Sequence, residues 1–294
     1  MNVFIEAARP RTLPAAFAPV VVGTAAASTP VAELSWLNAG LALTVALALQ
    51  IAVNYANDYF DGTRGVDTAA RLGPRRAVAN GLVSPQQMRT AMIVTLIVAV
   101  TAGTVLALRV GWELFAIGAF AVVAALGYSG GKRPYASRGL GEVSVFVFFG
   151  LIATIGTAYV QDSSVSLLPI LTAIPVGFFA VALILVNNLR DIPTDQTAGK
   201  RTLAVALGDR RTRVLFSAMV LSAVMWPIPL ALYLQSAWPL LGLLALPLII
   251  PPVVKTQNGA NGRALIVVLE HTGRAQLLFA VTLAVGLLRA KGVA

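Results

Sequence analysis

The stretch LLPILTAIPVGFFAVALILVNNL, Leu167–Leu189, decides the class of fold. It contains no charged side chain along its whole length, and Arg190 and Asp191 follow it directly. A helix that crosses a bilayer needs about 20 predominantly apolar residues, so this stretch predicts a membrane-spanning helix. Its prolines are compatible with a span, because neighbouring helices can satisfy the carbonyl groups that a proline leaves without a donor.

The same signal recurs along the chain. Hydrophobic residues make up 57% of the 294 residues, charged residues only 12%, and the mean hydropathy is +0.81. Soluble domains carry roughly 25% charged residues, so the main solvent of this chain is lipid. We predict an all-α polytopic membrane helix bundle of about nine transmembrane helices, formed by a single domain over residues 1–294. The predicted spans are Leu13–Ser28, Trp36–Ala56, Met88–Leu108, Trp112–Tyr128, Gly141–Val160, Leu167–Leu189, Val214–Leu234, Trp238–Val254 and Ala275–Leu288.

The basic residues indicate an orientation. They concentrate in the connections after even-numbered predicted helices, and the N-terminal segment adds Arg9 and Arg11. Because basic loops stay in the cytoplasm, we expect a cytoplasmic N-terminus in the cell membrane. The net charge of +10 is then explained by orientation and by an anionic substrate, and we expect no nucleic-acid partner. Trp36, Trp112 and Trp238 open helices at the opposite interface, where aromatic residues are enriched.

Composition also excludes several kinds of site. The chain has no cysteine, which rules out disulfides and thiolate metal sites. His271 is the single histidine, so a multi-histidine metal site within one chain is excluded as well. Met1–Arg11 lacks a basic segment followed by an apolar run, and we therefore expect no cleaved signal peptide.

Two clusters hold five of the twelve acidic residues. Asp58, Asp61 and Asp67 follow the second predicted helix, and Asp191 and Asp195 follow the sixth. Several carboxylates this close repel one another unless a cation lies between them. Solvated loop acids are the plainer interpretation, but ionisable residues beside a membrane span are functional candidates by default.

The spacing favours a shared helical face within each cluster. Asn54, Asp58 and Asp61 stand at i, i+4 and i+7, and Asn187 repeats the i, i+4 relation with Asp191. Pro193 precedes Asp195, and the residue before a proline resists helical geometry, so the spacing does not place Asp195 on that face.

The chemistry that fits such clusters is magnesium-assisted departure of a diphosphate. Mg²⁺ takes oxygen ligands and is usually held by one or two carboxylates together with substrate phosphates. One ion at each cluster, two in all, would neutralise the charge of a diphosphate leaving an allylic carbon. The predicted metal ligands are Asp58, Asp61, Asp67, Asp191 and Asp195.

Basic and aromatic residues near the clusters fit the same chemistry. Lys200, Arg201 and Arg64 are the preferred diphosphate ligands, although each could equally serve only to orient the chain in the membrane. Tyr128 and Tyr135 could present ring faces to a carbocation or could simply anchor at the interface. The role of Glu142 is open, since it is a functional candidate and could equally pair with Lys132 or Arg138. An acceptor carboxylate could be bound by Lys132, Arg133 and Arg138.

Asn54-x-x-Asn57-Asp58-x-x-Asp61 and Asp191-x-x-x-Asp195 resemble the paired aspartate motifs of the UbiA superfamily of intramembrane aromatic prenyltransferases. Three further stretches resemble the branch of that superfamily that prenylates 1,4-dihydroxy-2-naphthoate: Arg9–Pro14, Asn57–Asp67, and Asn187–Asp195 with Ala198–Ala204. One departure from the general motif is the wider spacing of Asp61 and Asp67.

The resemblance covers nearly the whole chain and implies nine helices with the motifs on cytoplasmic loops. It implies an isoprenyl diphosphate donor, an aromatic acid acceptor and magnesium, with decarboxylation giving a demethylmenaquinol of menaquinone biosynthesis. On this basis Asp58, Asp61, Asp191 and Asp195 are expected to be catalytic. The expected substrate-binding residues are Asn54, Asn57, Arg64, Tyr128, Lys132, Asn187, Asn188, Arg190, Lys200 and Arg201.

Other interpretations differ in acceptor or in class. Another acceptor, such as 4-hydroxybenzoate, would keep its carboxylate. A CDP-alcohol phosphotransferase also carries membrane-surface aspartates, but Asp61-Gly62 here lacks the Ala-Arg that should follow. A solute transporter places ionisable groups near the bilayer midplane, whereas these lie at helix ends.

Overall fold

The computed structural model describes residues 2–65, 76–131 and 134–291, and these contain helices and no β-strand. Nine helices, labelled α1 to α9, account for most of the described chain. They are α1 Pro14–Ala26, α2 Trp36–Thr63, α3 Pro85–Val110, α4 Glu113–Ser129, α5 Gly141–Asp162, α6 Leu167–Thr197, α7 Leu203–Tyr233, α8 Trp238–Gln257 and α9 Arg263–Lys291.

Seven of these helices, all except α1 and α4, are long and apolar enough to cross a bilayer. This confirms the prediction of a polytopic helical membrane protein. α1 has 13 residues and α4 has 17, both apolar but shorter than the usual span. Among the described residues the structure therefore gives seven candidate spans where the sequence predicted about nine.

α6 forms the centre of the bundle. In its most apolar 18-residue stretch 78% of the residues are buried, against 22% for α2, so α6 is shielded from lipid on nearly all sides. It packs against α1, α5, α7 and α9. The fully buried rings of Phe179 in α6, Phe216 in α7 and Phe279 in α9 belong to this main core, and those of Phe179 and Phe279 are 5.1 Å apart.

A close crossing of α5 and α6 is made possible by two glycines. A Cβ atom on Gly150 would lie 2.6 Å from the Cα of Gly177, so only glycine allows the two backbones this approach. α5 forms a π-helical turn over Phe146–Ile152 at the same place. Such turns occur mostly as local bulges and often beside functional sites.

A smaller core joins α2, α3 and the N-terminal segment, which begins with a short helix at Val3–Ala7. Tyr55 packs edge-on against Phe4 and donates a hydrogen bond to its carbonyl oxygen over 3.0 Å. Met88 of α3 is fully buried in this cluster. The N-terminal segment is thereby fixed beside the end of α2 that carries the first aspartate cluster.

Two helices extend beyond the predicted spans and carry the motifs. α2 continues to Thr63 instead of ending at Ala56, and α6 continues to Thr197 instead of Leu189. α6 runs through Pro193, so Asp195 does lie one turn beyond Asp191 on the same helix, contrary to what the proline suggested. The apolar pattern marks only the lipid-spanning part of each helix, and burial against neighbours maintains the polar remainder.

Candidate active site

Two adjoining cavities lie at the ends of α2 and α6 that carry the motifs. The first, here called the polar cavity, has a volume of about 550 Å³. Its charged lining residues are Glu6, Arg9, Arg11, Asp61, Arg76, Arg190, Asp191, Asp195 and Lys200. The second, the apolar chamber, has about 310 Å³ and lies between α1, α2, α3, α4, α5 and α6. Both are lined by Arg9, Thr12, Asn57, Tyr128, Ile184 and Asn187, so the two cavities adjoin at these residues.

Asp61 of α2 is the carboxylate around which the cations gather. One of its oxygens lies 3.0 Å from Arg64 Nη2, and the other lies 3.5 Å from Arg76 Nη2 and 3.3 Å from Lys200 Nζ. The aspartate is buried, yet it faces the polar cavity. Three cations around one buried carboxylate stabilise its charged form and leave positive charge available to a bound anion.

Asp58 has a different environment. Its carboxylate is 1% exposed and accepts hydrogen bonds from the backbone N–H groups of Ala77 and Val78, both over 2.9 Å. It does not line the polar cavity. In this structure Asp58 therefore ties the loop after α2 to the helix, although it was predicted as a metal ligand from its spacing.

The second cluster lies on α6. Asp191 and Asp195 are both buried and both line the polar cavity. Arg190 donates two hydrogen bonds to Asp191, from Nε over 2.7 Å and from Nη2 over 2.8 Å. This bidentate ion pair fixes the orientation of the guanidinium relative to the carboxylate.

Lys200 connects the two clusters. The chain turns back after α6 at Gly199, whose φ of +69° lies in the left-handed region, and the Lys200 N–H donates to the Asp195 carbonyl over 2.9 Å. The side chain then reaches Asp61 on α2. The clusters are far apart in sequence, but this contact brings them to one cavity.

The predicted asparagines divide into several roles. Asn57 lines both cavities, and its buried Oδ1 has no hydrogen-bond partner within the described part of the chain. Asn187 also lines both cavities and donates to the Leu183 carbonyl. Asn188 lines the polar cavity and donates to Glu142 Oε1 over 2.9 Å. Asn188, rather than Arg138, is therefore the partner of Glu142.

Asn54 acts on the N-terminal segment. Its Nδ2 donates to the Ala8 carbonyl over 2.8 Å and to Thr12 Oγ1 over 3.3 Å. The residue lines only the apolar chamber. Its amide therefore holds the chain that carries Arg9, a residue that lines both cavities.

Two tyrosines form an aromatic wall at the junction. Tyr128 lines both cavities, Tyr135 lines the apolar chamber, and their rings meet edge to face with centroids 5.6 Å apart. Tyr135 donates to the Ala124 carbonyl over 2.7 Å, and burial raises the pKa of its phenol, so the ring stays neutral. The electron-rich faces of such rings attract cations.

Asp67, Lys132 and Arg133 fall outside the described residues, and two other predicted residues do not line the polar cavity. Arg64 donates to the backbone carbonyls of Ser129 and Gly131, so besides Asp61 it holds the end of α4, and it does not line the polar cavity. Arg201 is exposed and does not line the polar cavity either.

Sequence reasoning assigned no role to two arginines that the fold brings to the site. Arg76 is 6% exposed and reaches Asp61 from the loop after α2. Arg9 reaches the junction of the two cavities from the N-terminal segment. The Arg-Pro-Arg-Thr stretch that begins at Arg9 was a visible signal, whereas nothing in the spacing set Arg76 apart from the other loop arginines.

The donor set suits a hard cation bound together with phosphate. No group of three or more His, Cys, Asp or Glu side chains in the described ranges is placed to hold a metal alone. Asp61, Asp191, Asp195 and Asn57 Oδ1 nevertheless offer oxygen atoms around one cavity. Mg²⁺ is typically bound in this way, with few protein ligands and the rest from substrate.

Fold and site together define an integral membrane protein in which a cavity lined by charged residues adjoins an apolar chamber within the bundle. The chain belongs to the UbiA prenyltransferase family, whose model matches residues 16–272. This membership decides against the transporter and the CDP-alcohol phosphotransferase that the sequence left open.

Curated relatives match over nearly the full length. The chain is 45% identical to the 1,4-dihydroxy-2-naphthoate octaprenyltransferase of Mycobacterium tuberculosis, covering 96% of this chain and 95% of the relative. It is 36% identical to the 1,4-dihydroxy-2-naphthoate octaprenyltransferase of Escherichia coli, covering 94% and 91%.

Solved structures share the fold at low identity. A UbiA homologue from Archaeoglobus fulgidus, bound to GPP and Mg²⁺, superposes with a TM-score of 0.64 at 15% identity, covering 96% of this chain and 99% of the homologue. An apo UbiA homologue from Aeropyrum pernix K1 gives 0.65 at 16% identity, covering 94% and 96%.

Proposed function

We propose that this chain transfers a polyprenyl group from an isoprenyl diphosphate to 1,4-dihydroxy-2-naphthoate, with loss of carbon dioxide, giving a demethylmenaquinol in menaquinone biosynthesis. One observation carries the proposal: a charged cavity adjoins an apolar chamber, and the two share six lining residues. This matches a donor with a diphosphate head and a hydrocarbon tail. The two naphthoate prenyltransferases named above support the choice of acceptor.

The tail has room in the chamber. α2 lines it at both ends, with Asn57 at the polar end and Ala42 at the other. A helix rises about 1.5 Å per residue, so the chamber extends roughly 22 Å along α2. Its walls are mostly apolar, and burial of a hydrocarbon there is favourable at about 25 cal/mol per Å².

The diphosphate would lie in the polar cavity. Lys200, Arg76 and Arg190 line this cavity and can donate to its oxygens, with the two arginines offering planar forks. Each of these cations already contacts a carboxylate of one cluster, so the head would be held between α2 and α6.

Asp61, Asp191, Asp195 and the Asn57 amide oxygen would hold magnesium, which we infer as two ions, one at each cluster. When bound, magnesium neutralises charge that develops on the departing diphosphate. Asp58, in contrast, keeps the loop that presents Arg76 in place through its bonds to Ala77 and Val78.

The reaction proceeds at the junction. The allylic carbon–oxygen bond breaks and leaves a carbocation beside the Tyr128 ring. The naphthoate carbon that bears the carboxylate attacks, and a new carbon–carbon bond forms. The bond to the carboxylate then breaks, its electron pair returns to the ring, and carbon dioxide leaves. No proton has to be removed from that carbon, which suits a cavity without a histidine lining it.

We infer that the N-terminus, both aspartate clusters and the α4–α5 loop face the cytoplasm, that the short α1 and α4 also cross, and that the membrane is the cytoplasmic one. The basic loops of the sequence support this orientation.

The test is product analysis with carboxyl-labelled naphthoate, a polyprenyl diphosphate and magnesium, using purified protein. Labelled carbon dioxide should appear in step with prenyl product, since one is released for each bond formed. The control acceptor is 4-hydroxybenzoate, which keeps its carboxylate on prenylation. A prenylated naphthoate that retained the label would overturn the decarboxylating reaction, and faster turnover of 4-hydroxybenzoate would change the acceptor.

A further inference from the structure

Arg9 has a place that no other charged residue shares. Among the described residues it is the one charged side chain that lines the apolar chamber, and it lines the polar cavity as well. A cation that borders both an apolar wall and the reaction site suits a flat hydrocarbon ring that carries one negative group.

The backbone at Arg9 is held in an uncommon conformation. Its φ of 53° and ψ of 68° lie in the left-handed region, which residues other than glycine seldom adopt unless the surroundings impose it. Pro10 follows and restricts the chain further. Strained residues of this kind cluster at ligand sites.

A buried network imposes that conformation. The Thr12 hydroxyl donates to the Arg9 carbonyl over 2.9 Å and accepts from Gln50 Nε2 over 3.1 Å and Asn54 Nδ2 over 3.3 Å. Gln50 and Asn54 stand one turn apart on α2 and are both buried. The Thr12 hydroxyl therefore uses its one donor and both acceptor positions, and its bonds to α2 set the position of Arg9.

Four other cations line the polar cavity, and none of these four lines the apolar chamber. Lys200 and Arg76 contact Asp61, Arg190 contacts Asp191, and Arg11 lies 3.0 Å from Glu270 on α9. The first three belong to the half of the site that the diphosphate would occupy, and Arg11 pairs with α9.

We propose that Arg9 binds the carboxylate of the aromatic acceptor, and that Thr12, Gln50 and Asn54 are positioning residues that act through it. The inference rests on the proposed function and deepens it by naming how the acceptor is recognised. A guanidinium fork matches a carboxylate with two parallel hydrogen bonds. The carboxylate leaves as neutral carbon dioxide, so the product has lost the group that Arg9 holds and is released more easily than the substrate binds.

The test compares equilibrium binding of two ligands that differ only in the carboxylate, 1-hydroxy-2-naphthoate and 1-naphthol, to purified protein in detergent. The wild type should prefer the acid by roughly tenfold or more, and Arg9→Gln should abolish the preference. Arg89→Gln removes a charge at an exposed position of α3 and is the matched control. An unchanged preference in Arg9→Gln would overturn the proposal.

Kinetics then separate the acceptor from the donor. In Arg9→Gln the KM for naphthoate should rise about tenfold while the KM for the diphosphate changes less than about twofold. Thr12→Val should also raise the KM for naphthoate. Thr12→Ser should leave this KM near the wild-type value, since serine keeps the hydroxyl. If the KM for the diphosphate rose more than the KM for naphthoate, Arg9 would act at the donor site and the proposal would be overturned. Because the binding arm needs no turnover, failure of the wild type to prenylate naphthoate would refute the proposed function separately.

Discussion

At the residue scale, Asp58 and Asp61 show how one motif serves two purposes. They stand three positions apart on α2, yet Asp58 accepts two backbone hydrogen bonds while Asp61 contacts three cations and faces the polar cavity. Spacing places both on the motif-bearing end of the helix. The path of the loop after α2 decides which of the two carboxylates faces the ligand. The motif itself does not encode that path.

The two roles predict different defects. Asp61→Asn should lower turnover by about 100-fold or more with little change in thermal stability, because a metal oxygen and its charge are lost. Asp58→Asn should instead lower stability by roughly 1–3 kcal/mol, because an amide cannot accept both backbone hydrogen bonds. Turnover at saturating magnesium and thermal unfolding in detergent measure the two effects.

Asp162→Asn is the control for turnover, since Asp162 lies at the other end of α5 and contacts Ser28 and Ser164. It should keep near wild-type turnover. If Asp61→Asn kept the wild-type rate, Asp61 would not be a metal ligand. If Asp58→Asn were fully stable but inactive, the loop-holding role would be wrong and the metal role predicted from the sequence would stand.

At the element scale, the apolar stretches predicted which segments are helical but not where the helices end. The predicted ninth span began at Ala275, whereas α9 begins at Arg263, because Glu270, His271 and Arg274 interrupt the apolar pattern between Leu269 and Ala275. The rule for the residue before a proline likewise failed at Pro193, through which α6 continues to Thr197.

Side-chain roles were harder to predict than helices. Asp61, Asp191, Asp195 and Lys200 were identified from the sequence and do meet in one cavity. Arg9 was missed because its position depends on Gln50 and Asn54 of another helix. Contacts of this kind depend on tertiary packing, which a single sequence does not encode in any local pattern.

The crossing of α5 and α6 leads to a prediction at this scale. Gly150→Ala should destabilise the protein by roughly 1–3 kcal/mol, because the added methyl group would collide with the Gly177 backbone, which cannot move away without shifting α6. Gly156→Ala is the control on the same helix, since its methyl group would meet open space. Thermal unfolding in detergent compares them, and equal stability of the two variants would show that the crossing tolerates a Cβ atom.

At the scale of the whole molecule, apolar side chains occupy the outer surface as well as the core. Large apolar side chains such as Leu108, Trp112 and Val123 are 68–78% exposed, as expected where lipid is the solvent. Nine charged residues line an interior cavity at the motif-bearing ends of α2 and α6. A substrate whose tail belongs in the bilayer can therefore place its head among cations without leaving the protein.

The orientation in the membrane can be tested with introduced single cysteines, because the chain has no native cysteine that would also be labelled. Ser84→Cys, before α3, and Ser137→Cys, before α5, should react with a membrane-impermeant maleimide from the cytoplasmic side only. Ala32→Cys, in the exposed connection between α1 and α2, should react from the outside. α3 is long enough to cross, whereas α4 has only 17 residues, so Ser84 and Ser137 share a side only if α4 crosses as well. Labelling of these two positions from opposite sides would show that α4 does not span, and labelling of Ser84 from outside would invert the bundle.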